Sequence, residues 1–144
     1  MAEALLRERL DRAGLGQEVS VKSAGVWASA GHPASVHAVT CLAGRGIDLS
    51  GPRSQPVTVA LLEDSDVILV MEEAHRRSIF YLAPQYLAKV FLLSEMSGQH
   101  DDVADPYGGE IVAYERTITL LEKLIDDGMP RLRQRLGLAP SSGG

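Results

Sequence analysis

Two features of this sequence carry side chains of a type that does chemistry: the turn Asp105-Pro106-Tyr107-Gly108-Gly109 and a single thiol, Cys41. Pro106 biases Asp105 towards an extended backbone, and the paired glycines relax the backbone that follows. The carboxyl is thereby held out on a loop, a position suited to protonating a bound group. The same letters also spell an ordinary turn, so the spacing alone leaves both readings open. Cys41 shares a helical face with Ala38 and Leu42, where no amide is free and no Arg follows at the spacing of a phosphate-binding loop. It reads as a buried, inert thiol. His32, His37, His75 and His100 are scattered, and His100 with Asp101, Asp102 and Asp105 could be drawn as a metal cluster. That stretch reads as a solvated acidic loop rather than a metal site. Arg76-Arg77 and Arg131, Arg133 and Arg135 read as solvated helix faces.

The chain that must position these groups has 144 residues, a length that suits one domain able to bury its own core. That domain is expected over residues 1–138, with 139–144 a disordered tail by composition. Fourteen Lys and Arg against 19 Asp and Glu leave a net charge of −5, which argues against nucleic acid and anionic membranes as partners. One cysteine excludes an intrachain disulfide and fits a reducing cytoplasm. No run has the length of a membrane span or the pattern of a signal peptide.

Hydrophobic periodicity supplies the elements. Ala2, Leu5, Leu6, Leu10 and Ala13 mark an amphipathic helix that ends at Gly14 and Gly16. Glu18 to Lys22 is a strand candidate, and a helix runs from Pro33 to Gly44. Residues 47–56 form a loop, and Thr58 to Asp64 is a short helix. The apolar runs Asp66 to Met71 and Lys89 to Leu93 suit parallel strands covered on both faces, with the helix Glu72 to Leu82 between them. Ser94 to Pro106 is a polar loop. Ile111, Tyr114, Ile118, Leu121 and Ile125 then stripe a long helix, which Gly128-Met129-Pro130 is expected to break or kink. Alternating helices and strands predict an α/β fold with parallel strands.

Read in order, Met1-Ala2-Glu3-Ala4-Leu5-Leu6, Ser23-Ala24-Gly25, Gly31-His32-Pro33-Ala34, Gly46-Ile47-Asp48-Leu49-Ser50, Arg53-Ser54, Val70-Met71 and Asp105-Pro106-Tyr107-Gly108-Gly109 resemble the low-molecular-weight protein tyrosine phosphatases from Met1 to about Leu136. The stretches around Trp27 and from Ser97 to Gly109 are most similar to the bacterial branch that includes protein-arginine phosphatases. The resemblance implies a three-layer open parallel sheet with helices on both faces. It implies hydrolysis of phosphotyrosine or phosphoarginine on a protein substrate through a phosphocysteine, with inorganic phosphate as product and no cofactor or metal.

By the same resemblance Asp105 is the catalytic acid, Trp27 and Tyr107 line the substrate pocket, and Ser23 hydrogen-bonds the phosphate cradle. Two departures stand out. The first central strand and the Cys-x-x-x-x-x-Arg cradle that precede the family's first helix are missing from these residues, and Pro52 replaces a His that braces the cradle. Two readings follow: a true start upstream of Met1, or a shortened, catalytically inactive relative that serves as a binding protein or is a non-functional remnant.

Overall fold

A computed structural model describes residues 1–25, 35–49 and 55–138. Trp27, Pro52 and the tail 139–144 lie outside the described residues. The chain divides into two compact units, Met1–Pro56 with Asp105–Glu122, and Val57–Ala104 with Lys123–Gly144.

The first unit is helical. The helix α1 (Ala2–Arg12) and the helix α2 (Val36–Ala43) contribute Leu5, Leu10, Ala38, Cys41 and Leu42 to the buried set. The first half of the long helix α5 (Ile111–Arg135) adds Tyr114, Ile118 and Leu121. Ser35 starts α2 by accepting the Ala38 amide on its hydroxyl at 3.3 Å, a cap of the kind that stabilises a helix by about 1 kcal/mol. The His37 and Tyr114 rings meet at 5.4 Å, tilted, and tie α2 to α5.

The second unit holds the sheet. The strand β1 (Ile68–Val70) pairs in parallel with β2 (Val90–Leu92), in the register Ile68 to Val90, Leu69 to Phe91 and Val70 to Leu92. The helix α3 (Val59–Asp64) precedes β1, with the Thr58 hydroxyl accepting the Leu61 amide at 3.2 Å. The helix α4 (Glu73–Leu82) and a 3-10 helix over Pro84–Lys89 connect the strands. Leu62, Val70, Ile79, Ala83, Val90 and Leu92 form one core, with Val57, Ile68, Tyr86 and Leu87 packed on it. Parallel strands joined through a helix and covered by apolar helix faces make this an α/β fold, as the alternation of elements predicts.

Three local expectations are corrected. Glu18 to Lys22 does not form a strand: residues 16–18 turn, and among the described residues the bridge nearby joins Gly25 to Pro56 in parallel. A strand exists only where a neighbour supplies the other half of the ladder, and here the Arg7 guanidinium donates to the Val21 carbonyl at 2.6 Å. The helix α5 does not break at Pro130 but runs through it to Arg135. Packing outweighs the lost backbone bond: Gly128 lies so close to Met96 that a Cβ there would fall 2.7 Å from the Met96 Cβ. Arg131 also donates to the Glu95 carbonyl at 2.7 Å.

The third correction concerns the polar loop after β2. It opens with a 3-10 helix over Leu93–Ser97 in which Leu93, Ser94 and Met96 are buried. The Ser94 hydroxyl donates to the Asp101 carbonyl at 2.7 Å and accepts the Asp101 amide at 2.9 Å, closing the loop on itself. Ser94→Ala removes both bonds to the Asp101 backbone. The expected cost is about 1–3 kcal/mol, read as a lower denaturant midpoint together with faster hydrogen exchange at the Asp101 amide.

Candidate functional site

The turn at Asp105 belongs to the first unit and is built from its own letters. An Asp105 Oδ1 atom accepts the Tyr107 amide at 2.9 Å, and the Pro106 carbonyl accepts the Gly109 amide at 2.8 Å. Gly108 has φ +84°, which favours glycine. A Cβ at Gly109 would lie 2.9 Å from the Pro106 oxygen and 3.1 Å from the Ala113 Cβ, so glycine is required there by space. Two consecutive glycines thus turn the chain directly into α5, leaving Asp105 exposed and the Tyr107 ring 80% exposed.

The Asp105 carboxylate lies within electrostatic reach of the start of α1. Burial pushes the Met1 α-amine below its ordinary pKa, while the Glu3 and Asp105 carboxylates pull it back up. No side chain caps that helix end, whose first amides have no partner within the helix and suit an anion. A carboxyl group and a helix N-terminus within electrostatic reach of each other are the two parts that general-acid catalysis on a phosphate ester needs beside a nucleophile.

The other predicted residues divide. Tyr107 shares the Asp105 turn. Ser23 is exposed and in the same unit, where its carbonyl accepts the Gln55 side-chain amide at 2.9 Å next to the Gly25–Pro56 bridge. Trp27 lies outside the described residues.

Cys41 is 2% exposed. Burial pushes its thiol pKa up, a hydrogen bond to Glu115 and that carboxylate's charge push it further, and Arg45 opposes them. Those causes favour the thiol over the nucleophilic thiolate. Sequence reasoning missed what surrounds it. The Arg45 guanidinium donates to Glu122 at 2.9 Å, to Glu115 at 2.8 Å and to the Cys41 carbonyl at 3.3 Å. Glu115 and Glu122, seven residues apart, share one face of α5, whereas Arg45 follows the end of α2 and meets them only in the fold.

In the second unit, Glu73, Glu95 and His100 bring ligand atoms within 4.8 Å of one another. Asp101 and Asp102, expected beside His100 in an acidic loop, do other work: Asp101 is held by Ser94, and an Asp102 Oδ1 atom accepts the Glu73 amide at 3.0 Å. The latter caps α4, whose own N-cap residue Glu72 makes no such bond. The carboxylates of the trio already have a cation. Arg76 pairs with Glu73 at 3.3 Å and with Glu95, while His100 pairs with Glu73 at 3.2 Å. The arrangement is an ion-pair clasp between α4 and the loop, made through one oxygen of each carboxylate.

Burial opposes the charge on Glu95, but the Leu92 amide, Arg76 and His100 outweigh it and hold its pKa below the ordinary carboxylate value. A lowered folded-state pKa adds stability that is present above the unfolded value and lost as pH falls through the folded one. Unfolding measured across pH 5 to about 2 is therefore expected to show a flatter acid limb for Glu95→Gln than for the unaltered chain. Parallel acid limbs would remove Glu95 from this role.

The family model for low molecular weight phosphotyrosine protein phosphatase matches residues 1–136. A probable low molecular weight protein-tyrosine-phosphatase, EpsP, of Ralstonia nicotianae is 39% identical over 133 residues, covering 92% of this chain and 86% of the relative. A protein-arginine-phosphatase of Bacillus subtilis is 42% identical over 126 residues, covering 87% and 82%. Among solved structures, a mutant of the YwlE arginine phosphatase with a phosphorylated active-site serine aligns at a TM-score of 0.87 and 40% identity, over 92% of this chain and 86% of that one. A low molecular weight protein tyrosine phosphatase from T. tengcongensis aligns at 0.85 and 35% identity, over 90% and 88%.

Proposed function

The chain belongs to the low molecular weight phosphotyrosine protein phosphatase family, and from that membership we propose that its fold serves hydrolysis of phosphate from tyrosine or arginine side chains of proteins, through a phosphocysteine. The match over residues 1–136, which takes in the Asp105 turn and α1, carries this reading. In it the α1 N-terminus faces the phosphate, Asp105 protonates the leaving oxygen or nitrogen, and Tyr107 and Trp27 flank the phosphorylated side chain. Ser23 braces the phosphate loop. The thiolate attacks phosphorus in line as the bond to the leaving group breaks, and water then releases inorganic phosphate. Phosphoarginine is favoured as substrate by the arginine phosphatases among the similar proteins.

None of the 144 residues is a Cys followed by Arg at the family's spacing, and the one thiol is buried. The nucleophile of this reaction is therefore assigned to residues outside these 144, and the second reading, a non-catalytic relative that binds a partner, rests on the same observation. No described helix is long and apolar enough to cross a membrane. The net charge of −5 favours a protein partner over nucleic acid, and the lone thiol suits a cytoplasmic setting.

Hydrolysis of an aryl phosphate by the 144-residue chain tests the assignment. No turnover above buffer is expected, and Cys41→Ala is expected to change nothing. Turnover abolished by Cys41→Ala would identify Cys41 as the nucleophile and overturn the account. Activity gained when a strand and Cys-x-x-x-x-x-Arg loop are joined ahead of Met1 supports the phosphatase reading; a folded but inactive product supports the binding protein.

A further inference from the structure

We draw no further inference here: the strongest candidate, the shallow apolar groove that Ile111, Val112 and Thr119 form beside Glu115 and Arg116 on the exposed face of α5, carries none because nothing in the structure shows what covers it.

Discussion

In a chain extended ahead of Met1 by a strand and a Cys-x-x-x-x-x-Arg loop, Asp105→Asn is expected to slow hydrolysis of a phosphate ester with a poor leaving group by about 10²–10⁴-fold. An ester whose leaving group departs readily as an anion is expected to lose far less, because it needs no proton. The substitution suits the question, since the Asn side-chain oxygen can still accept the Tyr107 amide that Asp105 now accepts at 2.9 Å. The turn, with Gly108 at φ +84° and Gly109 against the Pro106 oxygen, therefore keeps its shape while the transferable proton is lost. An equal loss for both esters would mean a damaged turn, and no loss for either would remove Asp105 from the mechanism.

How far the sequence reveals this site depends on where each constraint lives. The Asp105 turn is local: Pro106, Gly108 and Gly109 answer steric demands within a few residues of themselves, so their pattern is legible in one line of letters. Helices α2 and α3 are legible for the same reason, since Ser35 and Thr58 cap them from adjacent positions. The apolar runs that become β1 and β2 are also local signals, although only the central residues of each run enter the ladder. What was not legible is set by partners distant in sequence. Val19 and Val21 have strand-like letters, yet the backbone there takes no ladder, and Arg7 answers the Val21 carbonyl instead. Pro130 has breaker letters, yet the contact of Gly128 with Met96 and the bond from Arg131 hold the helix through it. Arg45, Glu115 and Glu122 each look like a solvated charge until α2 and α5 bring them together. The site shows the same division, with Asp105 and Tyr107 legible as a turn and the approach of Asp105 to the start of α1 visible only in three dimensions.

Leu92→Ala is expected to be the most damaging single truncation in the second unit, lowering stability by about 2–5 kcal/mol. Leu92 is 0% exposed, pairs with Val70 across the two-stranded sheet, and shares its core with Leu62, Ile79, Ala83 and Val90. Removing its branched end subtracts buried apolar surface and leaves a cavity. The neighbours are poorly placed to fill it: Val70 and Val90 are fixed by strand register, Ile79 is held on α4, and Ala83 has no side chain to extend. The Leu92 amide also donates to Glu95 at 2.9 Å, so a shift of β2 to close the cavity would strain the clasp that Glu95 makes with Arg76. Total stabilities of about 5–15 kcal/mol make such a loss large enough to populate the unfolded chain. Chemical denaturation should show a lower midpoint with an unchanged slope, because the surface exposed on unfolding scarcely alters. Cys41→Ala, in the first unit, removes one sulfur atom and should cost less than Leu92→Ala. If Leu92→Ala costs no more than that control, the two-stranded sheet does not organise the core of its unit.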